Sequence, residues 1–414
     1  MYTLARQCLT AFFVTLFTLG IHATRVDAQE NNMIYTLAVA WSHDGTQIAS
    51  VGVRPKDPSG YIRIIDVKTM QVTFQQDPVP GGFTSVSWSP NDRFIAVGSY
   101  DTTIWIFDLE KGEHTATLQG HGSTVTSVDW SPDGSKLVSG GNWDQLVFLW
   151  DMPTYQPIRN LKMTASINNV AFSPDGRSIA VGNEIGFYVF PATLDLGDSQ
   201  TQHSYRYIEG RSGAIAWSFN GQLIAFGSQT IRHVSGDRPD AHLFIMNTNG
   251  RKLIQDIKSP WGSISGLTWS SDDNLLAVYN QDDLVTVLDS KTGSVLETFK
   301  GSGSSRYNIG NLDFSLYGGR LAYGVTINPQ QVRDRASTET IGIAIVVPAP
   351  SLERLQGIAR SCGVPKSTEQ SLTTSITPNS LNTFMDAVRA LPTGTIPPAC
   401  AADLLAVAEA LQKQ

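Results

Sequence analysis

Residues 120–151 read GHGSTVTSVDWSPDGSKLVSGGNWDQLVFLWD, and this stretch decides the fold. From Val125 to Trp130 apolar residues alternate with small or polar ones, the two-residue period of a half-buried strand. Asp133-Gly134 follows, and glycine accepts the positive φ that a tight hairpin turn demands. A second apolar run starts at Lys136 (KLVSGG), and a third starts at Leu146 (LVFLWD). A weaker fourth run, such as HTATLQ from His114 in the preceding unit, completes four short antiparallel strands.

The same pattern of alternating stretch, aromatic, serine and turn recurs along the chain. It appears as AVAWSHDG from Ala38, SVSWSPND from Ser85, SVDWSPDG from Ser127 and NVAFSPDG from Asn169, then AIAWSFNG from Ala214, GLTWSSDD from Gly266 and NLDFSLYG from Asn311. The aromatics Trp41, Trp88, Trp130, Phe172, Trp217, Trp269 and Phe314 are spaced by 47, 42, 42, 45, 52 and 45 residues. One four-stranded sheet of this length cannot bury both of its faces, whereas several stacked radially bury each other's and leave only short edges. The expected fold is all-β, a seven-bladed β-propeller over residues 34–348, followed by a small α-helical appendage over 349–414. How the ring closes stays open at this level: Met33–Leu37 or the segment after Pro348 would complete the last blade.

These segments resemble the WD40 family over about three quarters of the chain. The third repeat carries the resemblance best, with Gly120-His121 ahead of its first strand, Ser139 in the second, Asp144 in the following turn and Trp150-Asp151 ending the third. The resemblance implies that His121, Ser139, Asp144 and Trp150 form a buried hydrogen-bonded tetrad with a structural role, since each buried polar group needs a partner. Phe107 and Leu288 replace the tryptophan in other repeats. The fifth repeat, WSFNGQLIAFG followed by LFIMNTNGR, has TolB-like character, which implies a bacterial envelope assembly factor as an alternative role.

The first 28 residues read as a secretory signal. Arg6 precedes an apolar run from Leu9 to Ile21, and Val26-Asp27-Ala28 offers small residues at −3 and −1 of a cleavage site, with Ala23 as a second possible site. The run falls short of the roughly 20 residues that span a bilayer, so no transmembrane span is expected in the mature chain. The expected location is periplasmic, cell-envelope or extracellular. Cys362 and Cys400 remain after cleavage, and an even count in an exported chain favours a disulfide, with two free buried thiols as the alternative. Such a bridge would contribute about 3–4 kcal/mol on the chain-entropy account. In the tail, Leu352, Leu355, Ile358 and Ala359, then Phe384, Ala387, Val388 and Leu391, then Leu404, Leu405, Val407, Ala408 and Leu411, fall at helical spacing.

Composition narrows function. Only 16% of the 414 residues are charged and the net charge is −7, which excludes a disordered charge-dominated chain and disfavours nucleic acid as a partner. No G-x-S-x-G elbow, H-E-x-x-H pair, P-loop or EF-hand loop occurs, and no cofactor or metal is implied. Asp44, Asp133 and Asp175 recur at one turn, and Asp66, Asp108, Asp151 and Asp289 at the ends of third strands, as turn formers do.

Departures from the repeat carry more information. Insertions between second and third strands span Val53–Gly60, Ser228–His242 and Thr326–Glu339. They place Arg54, Arg232, Arg238, Arg333 and Arg335 on one face, joined by Tyr100 and Trp143 from short turns and by Trp261, Arg306 and Tyr307 from inter-blade connections. Arginine and aromatic residues are common interface anchors. The function expected is a non-enzymatic exported scaffold binding a protein or peptide there. Alternatives are solvated loops with locally neutralised arginines, or a hydrolase- or lyase-type enzyme with its site at the central channel mouth.

Overall fold

The computed structural model describes residues 35–54, 57–69, 71–194, 211–229, 241–248, 252–259, 262–280, 284–300, 312–315, 320–325, 340–345, 381–391, 401, 404, 405 and 408. Among the described residues the repeats form seven antiparallel meanders in chain order. Among the described residues the fourth and seventh sheets have three strands and the others four. The first strands of the sheets are Tyr35–Trp41, Phe83–Trp88, Val125–Trp130, Ile167–Phe172, Arg211–Trp217, Ile264–Trp269 and Leu312–Phe314. Each contacts the first strand of the next sheet, and the first strand of the seventh contacts that of the first, so the ring is closed.

Core residues sit between sheets. Ala49, Val51, Ile62 and Ile64 of the first sheet share a cluster with Phe83, Ile95, Val97 and Phe107 of the second. Ala277 and Val287 of the sixth share one with Leu312, Phe314 and Leu321 of the seventh. Val39, Trp41 and Ile48 pack on Ala322 across the closing joint. Second strands therefore lie buried on both faces, as in KLVSGG, while the outer strand Gln156–Lys162 is exposed almost throughout. Burying one such large aliphatic or aromatic side chain contributes about 1.5–3 kcal/mol.

The repeated tryptophan does more than fill this core. Its indole N–H donates to the preceding sheet's first strand: Trp88 Nε1 to Ala40 O at 3.0 Å, Trp217 Nε1 to Ala171 O at 3.3 Å and Trp269 Nε1 to Ala216 O at 3.1 Å. Trp41 Nε1 donates to Asp313 O at 3.1 Å, and Trp41 N donates to Asp313 Oδ2 at 2.8 Å, which stitches the seventh sheet to the first. Closure thus uses side chains of neighbouring first strands. Residues Tyr35 to Leu37, one of the two candidates for completing the last blade, instead begin the first sheet, where Tyr35 pairs with Val53 and Thr36 with Gly52.

First strands also carry a one-residue bulge at the same place in six sheets. The bulged residue faces the next sheet: Thr126 Oγ1 donates to Ile167 O at 2.8 Å, and Thr84 Oγ1 donates to Val125 O. Gly213 holds this place in the fifth sheet, where a Cβ would lie 2.0 Å from Ile264 O, so backbone approach there requires glycine.

A second joint links the turns that follow the aromatics. Pro90, Pro132 and Pro174 each face a glycine of the next sheet, Gly134, Gly176 and Gly221, whose φ values are 71°, 68° and 69°. His43 and Phe219 occupy the proline position in the first and fifth turns and retain a backbone N–H. There the next sheet supplies aspartate instead of glycine, at φ 56° for Asp92 and 58° for Asp273. Asp92 accepts from His43 N at 2.7 Å and Asp44 N at 2.8 Å, and Asp273 from Phe219 N at 2.5 Å and Asn220 N at 3.1 Å.

The insertion expected at Val53–Gly60 is in part strand: the second and third strands run Gln47–Arg54 and Asp57–Asp66, with Val53 paired to Gly60 and Arg54 to Asp57. In the tail, helix α1 spans Leu381–Arg389 and buries Leu381, Phe384, Met385 and Val388. Ala387, expected on the apolar face, is exposed, because the buried stripe runs through i, i+3, i+4 and i+7 from Leu381. Leu404 and Ala408, four residues apart, are fully buried. Residues 1–28, expected to form a secretory signal, and Cys362 and Cys400 lie outside the described residues.

Candidate functional site

The third sheet brings His121, Ser139, Asp144 and Trp150 together. Asp144 Oδ2 lies 2.7 Å from His121 Nδ1, His121 Nε2 lies 2.8 Å from Ser139 Oγ, and Trp150 Nε1 donates to Ser139 Oγ at 2.9 Å. An aspartate–histidine–serine order resembles a hydrolase triad. Here Ser139 is fully buried, Trp150 lies on its hydroxyl and the His121 side chain is 1% exposed, so no substrate reaches the oxygen. Gly141 leaves the space: a Cβ there would lie 2.1 Å from Asp144 Oδ1 and 2.5 Å from His121 Nδ1. Burial pushes the Asp144 carboxyl up, but hydrogen bonds from His121, Leu146 N and Gly122 N hold it net below the usual carboxylate range.

This buried chain fixes the turn between the second and third strands. Asp144 is a member of the chain, and its neighbour Trp143 is 78% exposed. Gln145 N donates to Asn142 O at 3.1 Å and Trp143 N to Ser123 Oγ at 3.3 Å, so the backbone beneath the indole is tied down. In the second sheet Tyr100 occupies the corresponding turn, 41% exposed, with its N–H on Gly82 O at 2.9 Å. Both aromatics therefore stand at the same end of adjacent sheets. Arg54 ends a strand at that end of the first sheet. Arg232, Arg238, Trp261, Arg306, Tyr307, Arg333 and Arg335 lie outside the described residues.

The recurring acids are turn formers. Asp133 Oδ1 accepts from Ser131 Oγ at 2.6 Å and Ser135 N at 3.0 Å, and these bonds, the serine hydroxyl foremost, lower its carboxyl to about 2. Asp289 Oδ1 accepts from Thr292 N at 2.7 Å, and Asp66 Oδ1 from Thr69 N at 2.7 Å.

Two other acids do not repeat. The residue before each repeated aromatic accepts from the next sheet when it carries an oxygen. Ser87 Oγ accepts Trp130 N at 3.3 Å, and Thr268 Oγ1 accepts Phe314 N at 3.3 Å. Asp129 and Asp313 occupy the same position in the third and seventh sheets, and Asp129 Oδ2 accepts Phe172 N at 2.7 Å. Both line a central cavity of about 660 Å³, shared with His43. Burial raises Asp129 to about 6 and Asp313 to about 7, against the hydrogen bonds from Phe172 N and Trp41 N. Burial lowers His43, but the Asp92 hydrogen bond and the charges of Asp92, Asp313 and Asp129 hold it net above its ordinary value. The sequence signal for the pair was present: aspartate stands twice where other repeats have Ala, Ser or Thr.

These raised values fix a pH dependence. Between pH 4 and about 7 the folded chain holds protons that the unfolded chain has released, so stability falls as pH rises through that window. Asp129→Ser with Asp313→Thr, residues the chain itself uses at this register, is expected to flatten the slope. At pH 8 the variant should gain about 1–2 kcal/mol after discounting for channel solvent. Melting curves at pH 5 and pH 8 check this; an unchanged slope would place the pH response elsewhere.

Among the described residues no group of three or more His, Cys, Asp or Glu is placed to hold a metal, and no helix is long and apolar enough to cross a membrane. Residues 71–108 and 112–151 match the family model described as WD domain, G-beta repeat. Among similar proteins, THO complex subunit 3 of Arabidopsis thaliana is 33% identical over 34% of this chain and 44% of its own length. The WD repeat-containing protein slp1 of Schizosaccharomyces pombe is 32% identical over 36% of this chain and 29% of its own. The Anaphase-promoting complex subunit cdc20 of Dictyostelium discoideum is 30% identical over 34% and 28%. The chain spans less than half the length of these relatives. A solved chain of Kuenenia stuttgartiensis Hydrazine Synthase superposes with a TM-score of 0.61 at 14% identity, covering 78% of this chain and 98% of that one, a likeness of fold alone.

Proposed function

We propose that this WD40-repeat ring is an exported, non-enzymatic scaffold that binds a protein or peptide on the face formed by the turns between second and third strands. The observation that carries this reading is Trp143, 78% exposed on a turn anchored by a buried polar chain. An indole largely in water has little packing role of its own, and aromatics are typical anchors at interfaces. Tyr100 widens the apolar surface on the adjacent sheet. The sequence insertions assigned to this face would add Arg54, Arg232, Arg238, Arg333 and Arg335, with Arg306 and the aromatics Trp261 and Tyr307 from inter-blade connections, a basic set on an otherwise acidic chain that would suit an acidic partner segment. Two of the similar proteins are named as subunits of assemblies, in keeping with a scaffold. Residues 1–28 support an exported location.

The test is a crosslinking pull-down from the extracytoplasmic fraction, run with wild type, Trp143→Ala/Tyr100→Ala and Arg238→Glu/Arg333→Glu/Arg335→Glu. A partner captured by wild type is expected to be lost by at least tenfold in both variants. Equal capture by all three would remove the site from this face.

A further inference from the structure

The turns that carry Trp143 and Tyr100 join second and third strands; the turns after the repeated aromatics join first and second strands and so lie at the opposite end of every sheet. The central cavity opens among these latter turns. His43, Pro90, Pro132, Pro174 and Phe219 form its rim, and the ends of the first strands form its wall. Phe219 is 43% exposed, so beside the His43 imidazole the rim carries apolar surface partly in water.

The wall carries Asp129 and Asp313, and the ring does not require carboxylates there. Ser87 and Thr268 accept the same inter-sheet hydrogen bond with a neutral hydroxyl, and Ala40, Ala171 and Ala216 hold the position with none. A third feature concerns Trp130, which lines the same cavity and is 7% exposed. Its indole N–H is buried and has no acceptor among the described residues, whereas Trp41, Trp88, Trp217 and Trp269 each donate to the preceding sheet. The cavity thus combines two half-buried carboxyls with a rim that carries apolar side chains beside the His43 imidazole.

We infer that this mouth is a second binding surface, which receives a peptide segment inserting one lysine or arginine side chain toward Asp129 and Asp313 while its flanking apolar residues rest on Phe219 and the rim prolines. Charge complementarity selects the occupant: a cation restores the solvation that the two carboxyls lose in the channel wall. This surface is independent of the one proposed above, because it lies at the other end of the sheets.

The test selects a random dodecapeptide display library on the purified protein at low ionic strength. The expected result is enrichment of peptides with Lys or Arg between apolar residues. Synthetic copies should bind Asp129→Ser/Asp313→Thr at least tenfold more weakly than wild type, lose binding when the basic residue becomes norleucine, and bind Trp143→Ala unchanged. Melting curves establish that the double variant is folded; Asp129→Asn/Asp313→Asn, which keeps a side-chain acceptor for Phe172 N and Trp41 N, replaces it otherwise. Selected peptides without a basic residue, or equal affinity for wild type and a folded double variant, would overturn the inference.

Discussion

Ser139→Ala is expected to destabilise the ring by about 3 kcal/mol, the summed cost of leaving a buried donor, Trp150 Nε1–H, and a buried acceptor, His121 Nε2, without their shared partner. The hydroxyl is shared: His121 Nε2 lies 2.8 Å from it on one side and Trp150 Nε1 2.9 Å on the other. No water reaches the vacated place, since Ser139 is 0% exposed and Trp150 1%. Trp150→Phe in the same chain removes one stranded donor, so the double variant should be more stable than the sum of the two single losses predicts, by about 1 kcal/mol. Urea unfolding of the four proteins measures the coupling. A loss below about 1 kcal/mol for Ser139→Ala would mean that the hydroxyl is not shared by the two rings. The same substitution should also be felt at the surface. Gly122 N and Leu146 N both donate to Asp144, so their amide exchange should accelerate if the buried chain anchors the turn beneath Trp143.

Phe219→Pro is expected to cost about 2–3 kcal/mol when introduced alone, and most of that should return when Asp273→Gly is added. Asp273 sits at φ 58°, where a residue with a side chain is strained by about 1–2 kcal/mol, and it holds that conformation by accepting from Phe219 N and Asn220 N. Proline at 219 removes the first donor and sets its ring against a carboxylate. Glycine at 273 relieves the φ strain and recreates the pairing seen at Pro174–Gly221, where a Cβ on the glycine would lie 3.6 Å from the proline Cδ. Asp273→Gly alone should cost about 1 kcal/mol, because two backbone donors lose a charged acceptor while the strain is released. The cycle should give the same sign for His43→Pro with Asp92→Gly. Additive losses in both cycles would show that the two turns do not act as a joint.

Much of this architecture was legible in the residues. The aromatic spacing and the alternating runs report strands, because side chains on a pleated strand alternate faces and a turn needs glycine or aspartate in a defined place. His121, Ser139, Asp144 and Trp150 could be paired in advance only through the WD40 resemblance. Their separations along the chain follow the strand meander, which periodicity alone does not convert into contacts. The apolar face of α1 was misjudged at Ala387 because a small residue at a near-helical position carries too little hydrophobic signal to fix the stripe.

By itself the sequence determined the number of repeats, the order of strands within each and the polar residues at their turns, since all of these depend on neighbours a few residues apart. Only the tertiary structure decided how the ring closes, through Asp313 and Trp41, residues 272 apart in the chain. It alone placed Asp129 and Asp313 in one cavity and matched Asp92 and Asp273 to turns that lack proline. Those outcomes depend on which sheet packs against which, and on how far each carboxyl is taken from water. Both are set by the assembled ring and by no local stretch of chain.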